Sequence, residues 1–167
     1  EAVHERIHPT FDAIYTQLVN ADVLNNDETG LRVEGKLHWL HVNSTDTLTY
    51  YAVHRKRGQE AMRDIGILPQ FQGVSVHDGW ASYFQFNKGS HALCNAHHLR
   101  ELRFVEEQYQ QAWAREMAQL LRDAKQEVAD CADDQTALPP ERIAAYHQQY
   151  EQLLEQGIKA NTPPETP

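Results

Sequence analysis

The chain has 167 residues, of which 41% are hydrophobic, and a formal net charge of −9; its mean hydropathy is −0.67. That is enough apolar material for one ordinary core and too much for a disordered chain, while no apolar run reaches the roughly 18 residues of a membrane span. The acidic balance counts against a module that grips DNA alone, since phosphate contacts need cations, but it suits a catalytic core whose DNA-binding parts lie elsewhere.

In chain order, Ile7, Phe11, Ile14 or Tyr15, and Leu18 recur at helical spacing, with Pro9 marking the start of the regular helix. ADVLNNDET (21–29) reads as a first strand, and Gly30 and Gly35 flank a second that carries Leu37, Trp39, Leu40 and Val42. TLTYYAVH (47–54) is rich in β-formers and makes a third. A short helix over 58–65 closes on Gly66, Pro69 and Gly73 mark a loop, and VSVHD (74–78) is a fourth strand ending on a carboxylate. A helical turn over 79–84 and a fifth strand over 91–94 follow. From Ala96 one apolar stripe runs through Leu102, Val105, Tyr109, Trp113, Met117, Leu120, Ala124 and Val128. Pro139 and Pro140 open a further helix with Ile143, Tyr150, Leu153 and Leu154.

The order β-β-β-α-β-α-β, then helices, predicts an antiparallel meander followed by parallel crossovers. It closes as an α/β, RNase H-like five-stranded mixed sheet of order 3-2-1-4-5, with flanking helices and a C-terminal helical hairpin insertion. The expected organisation is an N-terminal helix over 1–20, part of a catalytic core over 21–98, a helical insertion over 99–158 and a flexible tail over 159–167. The opening EAVHERIHPTF has no signal-peptide pattern and no initiator Met, so the chain is expected to be an internal piece of a longer protein. Two cysteines, Cys94 and Cys131, are too few for a disulfide framework and point to a reducing cytoplasm.

Asp27 ends the predicted first strand and Asp78 the fourth. If those strands are parallel neighbours, about 4.8 Å apart, both carboxylates reach one sheet edge, where open α/β sheets place ligands. Adjacent carboxylates repel, and a divalent cation relieves the repulsion. Hard oxygen donors suit Mg²⁺ or Mn²⁺, and two such ions can activate a nucleophile and stabilise the leaving oxygen of a phosphodiester. By itself, an Asp at a strand end is more often a turn or cap residue.

The flanking residues change that balance. NNDETG (25–30), VHDGWASY (76–83) and CNAHHLREL (94–102), together with the basic stretch HRKRGQEA (54–61), resemble the transposases of the insertion-sequence-66 family, which carry a DDE-type catalytic domain. The resemblance covers roughly residues 18–105. It implies that Asp27 and Asp78 are the first two catalytic, metal-binding acids of an enzyme that cuts transposon ends and joins them to target DNA with two Mg²⁺ ions. It also implies a bacterial, cytoplasmic, nucleoid-associated setting, DNA as partner, no membrane, and room for a homo-oligomer of the full-length protein. The family's third acid, a Glu in an Asn-Asn-x-x-Glu-Arg-like context, is absent here and is expected beyond Pro167, which would leave the isolated fragment inactive. Glu101, Glu106, Glu107 and Glu116 follow Asp78 at spacings found in compact DDE domains, but on a charged helix they read as a solvated face.

Secondary candidates carry two readings each. Trp80 and Tyr83 could stack on a splayed base or brace the turn against the sheet. Arg55 and Arg57 with Lys56, and Arg100 with Arg103, could contact phosphates or form solvated surface. Cys94, His97 and His98 make half of a zinc pattern with no second pair; zinc is not expected, and His97 reads as structural or DNA-proximal. Glu28 points to the face opposite Asp27 by strand alternation. The competing functions are an RNase H-like nuclease that cuts without joining and a non-catalytic interaction or oligomerisation module.

Overall fold

Residues 2–131 and 137–162 are described by the computed structural model, within two compact units, Glu1–Cys94 and Asn95–Pro167. The first is built around β1 (Val23–Val33). β2 (Lys36–Ser44), β3 (Thr49–His54), β4 (Val74–His77) and β5 (Ser90–Leu93) complete a five-stranded sheet, ordered β3-β2-β1-β4-β5. β1 pairs antiparallel with β2 from Asn25–Ser44 to Val33–Lys36, β2 antiparallel with β3, and β4 parallel to both β1 and β5. This is the RNase H-like order expected from the sequence.

β1 alternates strictly. Leu24, Asn26 and Glu28 are buried, while Val23, Asn25, Asp27 and Thr29 are exposed, as a pleated strand with one covered face requires. The buried face meets α1 (Ala2–Val19), α2 (Gln59–Ile65) and α3 (Ile67–Gln70) through a core of Leu18, Leu24, Met62, Ile67, Leu68, Phe71 and Tyr83. Gly66 separates α2 from α3 at φ 84°, and its N–H closes α2 on the Met62 carbonyl at 3.2 Å. A Cβ at this position would stand 2.8 Å from the Tyr15 hydroxyl, so both conformation and space select glycine.

Several boundaries differ from expectation. β1 does not end near Gly30, which lies inside the strand opposite Trp39. The reversal comes at Glu34 and Gly35, with φ 50° and 77°, the positive pair of a two-residue type I′ hairpin. α1 starts before Pro9 and contains it, because proline's φ is helical and its missing N–H forfeits a single bond to the previous turn. Pro69 lies within α3 rather than in a loop. The helical turn after β4 is a short 3-10 segment, Tyr83–Gln85.

The second unit has three helices: α4 (Asn95–Tyr109), α5 (Ala112–Ala129) and α6 (Pro140–Ala160). The expected continuous stripe over 102–128 is broken where Gln110 adopts φ 53°, leaving Tyr109 and Val128 exposed. No glycine or proline announces that break. Met117, Leu120 and Leu153 form the small core, with Leu102, Trp113 and Tyr146 against it. Glu127 joins α5 to α6, accepting from Arg142 Nε at 2.7 Å and from the Tyr146 hydroxyl at 2.6 Å. These bonds, Arg142's first, lower its pKa to about 2. On α6, Ile143, Tyr150 and Leu154 are exposed; Leu153 and Gly157 are the buried residues. Of the expected tail, 159–160 are helical and 163–167 lie outside the described residues. Among the described residues, no helix is long and apolar enough to cross a membrane.

Leu24 is wholly buried and Val53 is 54% exposed on β3. Leu24→Ala should cost about 2–5 kcal/mol and Val53→Ala within about 0.5 kcal/mol, read from urea unfolding of the chain. Equal losses would contradict this assignment of the two sheet faces.

Candidate active site

The β1–β4 ladder leads towards the two acids and ends two residues before them. It pairs Val23 with Val74, Leu24 with Ser75 and Asn25 with Val76, a constant offset of 51 positions. Asp27 and Asp78 are separated by the same offset. Continued by two residues, the register would bring Asp78, the first residue past β4, abreast of Asp27 at one strand spacing, about 4.8 Å between backbones. β1 does not end at Asp27 but runs on to Val33.

Asp27 is exposed and Asp78 half-buried. Each keeps one carboxylate oxygen in a local bond: Asp27 Oδ1 accepts from the Glu28 N–H and Asp78 Oδ1 from the Trp80 N–H, both at 2.9 Å. The second bond closes an Asx-type turn that depends on Gly79, whose φ is 87°. Oδ2 of each acid makes no hydrogen bond within the chain among the described residues, so both carboxylates retain acceptor capacity for a cation. Two oxygen donors of this kind suit a hard divalent ion and would supply only part of its shell. Among the described residues, no three His, Cys, Asp or Glu side chains group as a metal shell.

Behind the acids lies a polar layer that the sequence reading did not foresee. Asn26 donates to the Leu24 carbonyl at 3.0 Å and to Ser75 Oγ at 2.9 Å, and accepts from Asn43 at 2.6 Å. Glu28, its side chain 1% exposed, accepts from Arg57 Nε at 2.8 Å and from the Tyr83 hydroxyl. The Arg57 guanidinium lies over Trp80 at 4.2 Å and Trp39 at 5.0 Å. The signal was present in the alternation Leu24-x-Asn26-x-Glu28: polar residues at core positions must have partners.

His77, wholly buried, stacks on Tyr83 with centroids 4.5 Å apart. The Gly79 N–H donates to its Nδ1 at 3.1 Å. Nε2 therefore carries the proton and donates to His91 Nδ1 at 3.0 Å. That assignment leaves the proton of His91 on Nε2, a buried atom without a hydrogen-bond partner.

The other candidates are distributed as follows. Tyr83 is 2% exposed with its hydroxyl on Glu28, so it faces the interior and not a splayed base; desolvation and the Glu28 charge raise its pKa. Trp80 is half-buried against Arg57. Arg57 is engaged by Glu28 through Nε, with its side chain 40% exposed. Arg55 and Lys56 are exposed. In the second unit, Arg100 is exposed, Arg103 pairs with Glu107 at 2.7 Å, and His97 Nδ1 is buried without a hydrogen-bond partner. Glu101, Glu107 and Glu116 are exposed and Glu106 is half-buried.

A 3-2-1-4-5 mixed sheet with a carboxylate on its central strand and another just past the adjoining parallel strand defines an α/β protein of RNase H-like type. The family model described as "Transposase IS66 family" matches residues 1–166, and the chain belongs to that family. No curated protein matches the chain.

Burial lowers the pKa of His77, His91 lowers it further, and Asp78 opposes both. Burial also lowers that of His41, against the raising effect of its bond to the Lys56 carbonyl. An unfolded histidine takes up its proton near pH 6.5, whereas these two resist protonation to lower pH. Below about pH 6.5 the unfolded state thus binds more protons, and stability falls as pH falls towards the lowered folded values. Urea midpoints at about pH 7.5 and about pH 5.5 should show the lower value at the acidic pH; a midpoint that does not change would contradict buried, neutral histidines.

Proposed function

We propose that this chain is the part of a transposase catalytic domain that contributes two of its metal-binding acids, Asp27 and Asp78, to DNA cleavage and strand transfer at transposon ends. The observation that supports the reading is the parallel β1–β4 register, whose offset of 51 positions is also the separation of Asp27 and Asp78. Family membership supports a transposase.

The chemistry follows from the donor set. Asp27 and Asp78 would hold Mg²⁺ or Mn²⁺, which when bound supplies Lewis-acid activation of the attacking oxygen and charge stabilisation at the phosphodiester. The chain's own residues orient and shield. The bonds from the Glu28 and Trp80 amides hold one oxygen of each carboxylate and leave the other available to a cation. A chain of net charge −9 repels a polyanion, so cations between these carboxylates and the phosphate serve binding as well as chemistry. Transfer to a DNA 3′ hydroxyl, as against hydrolysis alone, is the family's chemistry, and a strand-transfer assay on the whole protein separates it from a nuclease.

Mn²⁺ binding by isothermal calorimetry tests the site. Asp27→Asn and Asp78→Asn should each weaken binding by about tenfold or more, since each removes one of two charged donors. Equal affinity in the wild type and the double variant would contradict the metal site.

A further inference from the structure

The β1–β4 ladder stops at Asn25–Val76, two residues before the acids. Beyond that point no ladder bond between these strands holds Asp78 abreast of Asp27. The segments on either side of the gap are instead joined through Glu28. This residue directly follows Asp27 and points to the opposite, buried face, where a carboxylate 1% exposed is tolerated only with its lone pairs engaged. Arg57, from the link after β3, takes Oε1 at 2.8 Å, and Tyr83, from the turn after β4, takes Oε2. Arg57 in turn lies over Trp80 at 4.2 Å. The Trp80 N–H bonds Asp78 Oδ1 at 2.9 Å, and the Trp80 carbonyl accepts the Tyr83 N–H at 3.0 Å. The turn that carries Asp78 is therefore tied by backbone to β4 and by side chains to the residue beside Asp27.

We infer that Glu28, Arg57 and Tyr83 are positioning residues for the acid pair: acting from behind the sheet, they hold the Asp78 turn in register with Asp27 and so set the affinity of the site for a divalent cation. The inference rests on the reading of Asp27 and Asp78 as metal-binding residues. None of the three need touch metal or DNA. A purely stabilising role would lower the unfolding midpoint but leave the folded protein's metal affinity and the mobility of the turn as they are.

The test uses the 167-residue chain, with Mn²⁺ as probe, followed by NMR line broadening and amide hydrogen exchange in the wild type, Tyr83→Phe, Glu28→Gln and Ile67→Val. Tyr83→Phe keeps the ring and its stacking on His77, so it remains informative if Glu28→Gln fails to fold. Ile67→Val perturbs the same core without touching the network. In Tyr83→Phe, the Mn²⁺ concentration for half-maximal broadening at amides around the two acids should rise about tenfold, in the range found for residues that orient metal ligands. Exchange of the Trp80 amide should quicken by a similar factor while β1–β2 amides keep their protection. Ile67→Val should change neither. A Tyr83→Phe chain with wild-type Mn²⁺ affinity, or with unchanged Trp80 exchange, overturns the inference. Absence of broadening around the acids in the wild type would sink the metal reading instead, and Trp80 exchange would still decide whether the network holds the turn.

Discussion

The site and the core depend on one constraint: successive residues of β1 point to opposite faces of the sheet. Leu24, Asn26 and Glu28 enter the interior, while Asn25, Asp27 and Thr29 stay on the open side. A single strand thereby supplies an apolar anchor, a buried polar layer and an exposed carboxylate. A one-residue slip would bury Asp27 without a partner and expose Leu24, an exchange unfavourable on both counts. The antiparallel pairing to β2, closed by the two-residue Glu34-Gly35 turn, protects that register on one side, and the parallel pairing to β4 protects it on the other.

The polar layer under the acids is costly in desolvation and is tolerated because it is nearly saturated. Asn26 is bonded to Leu24, Ser75 and Asn43, and Glu28 to Arg57 and Tyr83. An apolar core of the same shape would be at least as stable. Such networks specify one arrangement of their members and lose much when a single member is removed. That property would suit a scaffold that keeps the proposed acid pair together, where repulsion would otherwise separate the turn from the strand.

Much of the architecture was legible from residue pattern. The β-former run at 47–54, the glycine closing α2 and the apolar VSV before Asp78 placed the strands, and the connection types ordered them. Glycine misled where it was read as punctuation: Gly30 sits inside β1 because the hairpin supplies its reversal at Glu34-Gly35, where Glu34 is an unexpected residue for positive φ. The α4–α5 break at Gln110 carries no local signal at all, so one periodic stripe was read through it. Asp27 and Asp78 were singled out together because local motifs flank both. Arg57 and Tyr83 each carried a DNA-facing reading beside a bland one, because a basic run and an aromatic after an acid have the same composition whether they face solvent or a buried carboxylate. Only the placement of Glu28 separates the two.

The central claim is the juxtaposition of Asp27 and Asp78 as a cation site. The most direct measurement is anomalous diffraction from crystals of the chain soaked in Mn²⁺. The account predicts an anomalous peak between the two carboxylates, within about 2.0–2.6 Å of an oxygen of each, the range of oxygen ligands to hard divalent ions. No peak there, with the ion bound at other residues of the same crystal, would contradict it.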